Sequence, residues 1–246
     1  MNTLLLIVLA TFIVSLISFV GVLTLTLRKN LLDEMLMLFV ALSAGALIGG
    51  AFLHLLPESL DSNTGLAMFF YVLIGFTLFF LVEKILHWRH CHQANCKIHT
   101  FAYIMLAGDF VHNFIDGLII AASFIVAIPL GITTTLAVAL HEIPQEIGDF
   151  GVLVYGGFKK SRALLLNFLV ALSAILGGII GFYLSSYISN STSFLLPFAA
   201  GGFIYIAASD LIPEIRKEER LGKSIIIFLV FLLGIAIMYG MRYINL

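Results

Sequence analysis

The sequence predicts an all-α integral membrane protein, a bundle of eight transmembrane helices containing an inverted repeat. Three observations carry this reading. Of 246 residues, 61% are hydrophobic and only 11% charged, with a mean hydropathy of +1.11. A soluble chain of this size needs a more polar exterior, so the surface must face lipid. Apolar runs of spanning length recur along the whole chain, separated by short connections. A short pattern in the second run returns in the seventh, in helices that cross the membrane in opposite directions.

The runs lie at about 3–27, 35–57, 65–86, 100–127, 130–157, 162–187, 192–215 and 222–242, a single transmembrane domain over 1–246. The first has no basic residue ahead of it and is too long for a signal-peptide core, so it reads as a membrane helix, not a cleaved leader. Orientation follows from the cations. Arg28 and Lys29 follow run one; Lys84, Arg89 and Lys97 flank the connection from run three to run four. Lys159, Lys160 and Arg162 follow run five, and Arg216, Lys217, Arg220 and Lys223 follow run seven. Twelve of thirteen Lys and Arg thus lie on one side, with Arg242 the exception. The positive-inside rule puts both termini outside, in the plasma membrane on this reading. A net charge of −1 and the lack of a basic tract point away from nucleic acid. Two cysteines are too few for a disulfide framework.

Runs four and five break the apolar pattern. Asp109, His112, Asn113 and Asp116 fall within an arc of roughly 100° on one helix. His141, Glu142, Gln145, Glu146 and Asp149 fall within roughly 140° on the next. A charged side chain at the bilayer centre costs about 2.5–3.5 kcal/mol. Five unpaired acids would cost on the order of 10 kcal/mol, and neither run contains Lys or Arg. Helix–helix hydrogen bonding explains a lone intramembrane His or Asn; it does not explain two facing stripes without a cation. Protons or metal ions must supply the charge. His112, Asp116, His141 and Gln145 offer the mixed nitrogen and oxygen donors that Zn²⁺ takes. Asn113, Glu142 and Glu146 offer a harder oxygen set for a second ion or an outer shell. Pro144 frees the carbonyl of Leu140, predicting a kink with an unpaired acceptor beside His141.

The repeat is "HLLPE" at 54–58 and "DLIPE" at 210–214. It puts His54, Glu58 and Asp61 near the outer mouth and Asp210 and Glu214 near the inner one. Asp109 and Asp149 lie on the cytoplasmic side of the central cluster, as an exit route. The connection 87–99 holds His87, His90, Cys91, His92, Cys96 and His99. Its spacing fits no zinc finger, although a cytosolic loop of this kind could accept or sense metal.

"HNFIDGLIIAASF" and "HEIPQEIGDFGVL" resemble the fourth and fifth helices of the ZIP (Zrt/Irt-like) family of divalent-metal transporters, in the branch whose fifth helix reads HEIPHEIGD. "HLLPES" and "DLIPE" are similar to that branch as well. The resemblance implies a 3+2+3 arrangement, with helices four and five between two inverted repeats. It implies that His112, Asp116, His141 and Gln145 belong to one transport site and that Asn113, Glu142 and Glu146 belong to or border a second. Gln145 stands where the branch has His and bacterial relatives have a bridging Glu; a neutral amide binds and bridges metal less well.

Metal import is the expected function, with zinc carried through a midplane site on helices four and five; Fe²⁺, Mn²⁺ and Cd²⁺ take the same donors. Two alternatives compete. "HEIPQ" is a degraded H-E-x-x-H, which would suit an intramembrane zinc hydrolase. Proton-coupled metal export would use the same ligands. A polar lining that reaches both faces favours transport over hydrolysis. "GGIIG" at 177–181 could pack helices closely, and a homodimer is compatible with it.

Overall fold

In lipid, backbone polar groups are satisfied within the segment, and the apolar runs accordingly coil into helices. The computed structural model describes residues 2–23, 29–62, 65–88, 98–187 and 191–243, and the structure is all-helical. Helix α1 spans Thr3–Ser15 and tightens into a 3₁₀ segment, Leu16–Val22. Helix α2 is Lys29–Gly50, widens through a π turn at Ala51–Leu55 and resumes as Leu56–Ser62. Next come α3 (Leu66–Trp88), α4 (Ile98–Val126) and α5 (Ile128–Tyr155). Helix α6 consists of Lys160–Ala171 and Ser173–Tyr187. Helix α7 runs Ser191–Ile206, passes through a π turn at Ala207–Leu211 and ends as Ile212–Ile215; α8 is Leu221–Met241.

Among the described residues, seven helices are long and apolar enough to cross a membrane. Helix α5 is the other one, because its polar stripe dilutes an otherwise apolar helix. It ends in a left-handed Gly157, φ 90°, with Phe158 N–H donating to the Leu153 carbonyl at 3.1 Å. That closure suits a glycine and turns the chain sharply into α6.

The repeat recurs in the backbone. His54 and Asp210 are each the fourth residue of a π turn, and Pro57 and Pro213 each follow two residues after its end. A proline cannot donate to the preceding turn, and widening that turn absorbs the lost bond.

Packing obeys the same inversion. Helix α2 packs along α8 as α7 packs along α3, and α4 lies on α6 as α5 lies on α1. The close approaches are made by glycines. A Cβ on Gly45 would meet the Phe231 carbonyl oxygen at 2.0 Å, and one on Gly201 would meet that of Val72 at 2.1 Å. Helices α1, α4, α5 and α6 therefore form one four-helix unit, and α2, α3, α7 and α8 the other. The "GGIIG" stretch is used inside the first unit: Gly177 abuts the Phe114 carbonyl, and Gly178 faces Ile7 and Thr11.

Candidate metal centre

Helices α4 and α5 cross with their polar stripes facing. His112, Asp116, His141 and Glu142 each direct one ligand atom to a common point, all within 4.8 Å of one another. The two imidazole Nε2 atoms are 3.2 Å apart. His112 Nε2 lies 3.6 Å from Asp116 Oδ2 and 3.3 Å from Glu142 Oε1; His141 Nε2 lies 3.3 and 3.5 Å from the same two oxygens. A tetrahedral zinc with bonds of about 2.0–2.2 Å has edges of about 3.3–3.6 Å. These spacings match it.

Three of the four donors are fully buried, and the two carboxylates have only the two imidazoles beside them. Asp116, His141 and Glu142 are at most 1% exposed. All four carboxylate oxygens of Asp116 and Glu142 lack a hydrogen-bond partner among the described residues. Buried acids left this way are costly unless a cation or proton joins them. His141 Nδ1 sits 3.3 Å from the Ala137 carbonyl, which orients the ring and leaves Nε2 for a ligand. Phe79 and Phe203, from the other unit, set their rings edge-on to His112 and His141 at centroid distances of 6.4 and 6.2 Å.

The remaining central residues take other places. Glu142, which the resemblance groups with Asn113 and Glu146, completes the four. Gln145 lines the adjoining cavity one turn along α5 from His141. Asn113 donates to Asp109 Oδ1 at 2.8 Å, and Glu146 accepts from the Asn167 amide. The Leu140 carbonyl is not left unpaired: the Ser43 hydroxyl lies 2.5 Å from it. An acceptor buried away from water takes whatever donor reaches it, and α2 supplies one.

A cavity of about 460 Å³ leads from His112 and His141 past Asp109, Asp149, Asp210 and Glu83 to Glu214. No Lys or Arg lines it among the described residues. It lies toward the side of the basic loops, where Glu214 pairs with Lys217 at 2.5 Å and Arg220 holds the Glu218 carboxyl down to about 2. On the opposite side of the centre, Thr134, Ala137, Val138 and Phe203 are at most 2% exposed. His54 is tied by Nε2 to the Met238 carbonyl at 2.7 Å, and Glu58 is half-buried; neither lines the cavity.

Glu83, Asn167 and Ser43 escape the motif-based reading. Asn167 carries a signal, as a lone amide in "LLLNFLV". Glu83 precedes Lys84 and passes for an interfacial charge, yet it accepts a hydrogen bond from Tyr205 within the cavity. Of the candidate loop ligands, His90, Cys91, His92 and Cys96 lie outside the described residues, as do the side chains of His87 and His99. The Asp61 side chain does too.

The model of the family described as ZIP zinc transporter matches residues 2–99 and 89–242. The chain is 31% identical over 275 residues to the zinc transporter zipt-7.1 of Caenorhabditis briggsae, covering 83% of this chain and 70% of that protein. It is 41% identical over 147 residues to zipt-7.2 of Caenorhabditis elegans, covering 58% and 32%. It is 32% identical over 218 residues to zinc transporter ZIP13 of Pongo abelii, covering 81% and 64%. The chain thus spans between a third and seven tenths of these relatives. These are transporters, not enzymes, which leaves the hydrolase alternative without support. With matches across both units and over the paired helices that build the centre, the chain belongs to the ZIP zinc transporter family.

Proposed function

We propose that this chain carries zinc into the cytoplasm, using His112, Asp116, His141 and Glu142 as its central binding site. The observation that carries this reading is the convergence of two imidazoles and two carboxylates, three of them fully buried, beside an acidic cavity. Gln145 borders that site on the exit side. Asp109, Asn113 and Glu146 form its oxygen-rich flank. The ion enters past His54 and Glu58, displaces protons from the cluster and leaves past Asp149, Asp210 and Glu214 as the bundles rock. Residues 1–246 act as one transmembrane transporter domain. The chain falls in the branch with a HEIPHEIGD-type fifth helix, on the strength of its own HEIPQEIGD.

Both termini face away from the cytosol, as the one-sided cations favour, and the plasma membrane is the proposed location. Surface labelling of an N-terminal tag on intact cells tests that placement. Fe²⁺, Mn²⁺ and Cd²⁺ are alternative cargoes for the same donors, and the loop 87–99 is a candidate metal acceptor. A homodimer would have to use lipid-facing surfaces such as α3 and α8, because Gly177 and Gly178 are engaged within the chain.

Zinc flux into proteoliposomes holding the purified chain tests the reading, beside a His112→Ala/His141→Ala double variant. Flux into vesicles along a zinc gradient, lost in the double variant, is the expected result. Export driven by a proton gradient would reverse the direction. Equal flux in both proteins would remove the site.

A further inference from the structure

The Leu140–His141 peptide joins one of the four proposed ligands to the backbone hydrogen bond that Pro144 removes from α5. Pro144 has no N–H, so the Leu140 carbonyl loses its normal partner one turn ahead. The Ser43 hydroxyl, fully buried on α2, reaches across to that oxygen at 2.5 Å. A peptide is a rigid plane that contains both the Leu140 oxygen and the His141 Cα. A grip on the oxygen therefore constrains the root of the imidazole, whose Nδ1 is oriented by the Ala137 carbonyl.

Ser43 has one proton and two candidate acceptors, because the Phe39 carbonyl of its own helix lies 2.6 Å away. Back-bonding to the preceding turn is the ordinary fate of a helical serine. Here a second, proline-orphaned acceptor competes for it. The bond also crosses between the two four-helix units. The bonds from Ser15 to the Ala171 carbonyl, Ser173 to the Phe110 carbonyl, His54 to the Met238 carbonyl and Tyr205 to Glu83 each stay inside one unit.

We propose that Ser43 is a positioning residue for the metal site: by donating to the carbonyl that Pro144 frees, it holds the Leu140–His141 peptide and thereby His141 in the geometry that receives zinc. This rests on the central site proposed above. It is distinct from that site in that Ser43 touches no ion and acts from the opposite unit.

The test is a double-mutant cycle on the full chain, reading Zn²⁺ affinity by titration calorimetry and the zinc concentration for half-maximal uptake in proteoliposomes. Removal of such an outer partner costs about tenfold or more in metal affinity, so Ser43→Ala is expected to weaken binding and raise the half-maximal concentration by about tenfold. Pro144→Ala restores the N–H that the Leu140 carbonyl lacks. In that background, Ser43→Ala is expected to change affinity by less than about twofold, because the two changes share one acceptor. Ser43→Thr keeps the hydroxyl and is expected to stay within about twofold of the unaltered chain, an independent-site margin.

Equal loss with and without Pro144, no loss from Ser43→Ala, or a Ser43→Thr loss as large as that of Ser43→Ala would overturn the assignment. If Ser43→Ala alone yields no folded protein, rescue by Pro144→Ala supports it and failure of rescue overturns it. His112→Ala/His141→Ala runs in the same assay. Undiminished binding there would mean that the central site itself is misassigned, a different failure.

Discussion

Asp116 and Glu142 are buried, and among the described residues the imidazole nitrogens of His112 and His141 are the groups that approach their oxygens. A cation or a proton has to offset their charge. Replacing His141 by Ala removes one corner of the donor set, so uptake is expected to fall to background while folded protein is still recovered; radiolabelled zinc uptake with a size-exclusion profile checks both. Gln145→Glu would add a carboxylate to the cavity wall one turn from His141. It is expected to tighten zinc binding by about tenfold, as a charged donor replacing a weak one, and to slow release, read by calorimetry beside turnover. Asn167 satisfies Glu146 in the interior. Asn167→Leu orphans that carboxyl at a cost of about 1–3 kcal/mol, expected as a lowered thermal midpoint in detergent. Acids and imidazoles at helical spacing are plain in the sequence. Which oxygen meets which nitrogen is not, because Glu142 and Gln145 lie on the same face and only the crossing of α4 and α5 selects between them.

At the scale of the helices, glycine sets how closely neighbours approach. Gly45 on α2 and Gly201 on α7 have the same relation to the two π turns, and both bring backbone against backbone. Gly45→Ala and Gly201→Ala are expected to destabilise the chain by about 1–3 kcal/mol each through overpacking. Gly222→Ala, with nothing within 4 Å of its Cβ, is expected to leave the thermal midpoint unchanged. Pro57 and Pro213 stand at matching places of the repeat in the sequence. That both copies form π turns carrying His54 and Asp210 at matching places depends on how α2 and α7 settle against α8 and α3. Pro144 shows the same limit. Its lost hydrogen bond is certain from covalent structure, but the donor that replaces it stands 97 residues away, at Ser43.

For the whole molecule, the centre adjoins an acidic cavity on one side and, among the described residues, buried small and apolar side chains on the other. Small and apolar residues are buried on the half of α5 away from the basic loops, and carboxylates line the cavity from His112 to Glu214. In a Cys91→Ser/Cys96→Ser background, Asp149→Cys and Asp210→Cys are expected to react with a polar thiol reagent applied from the basic-loop side. Thr134→Cys is expected to resist it; labelling of oriented membranes with mass-spectrometric readout decides. The sequence by itself determined the membrane class, the number of helices and the two polar stripes from which the donors come, because hydropathy and helical periodicity are local properties of a chain in lipid. Only the tertiary structure decided that Glu142 joins the four donors, that Asn167 pairs with Glu146 in the interior, and that Glu83 takes the Tyr205 hydroxyl at the cavity. Those outcomes are set by helix crossings between residues far apart in sequence, where backbone contact at glycine and competition for buried hydrogen bonds choose among arrangements the local pattern allows equally.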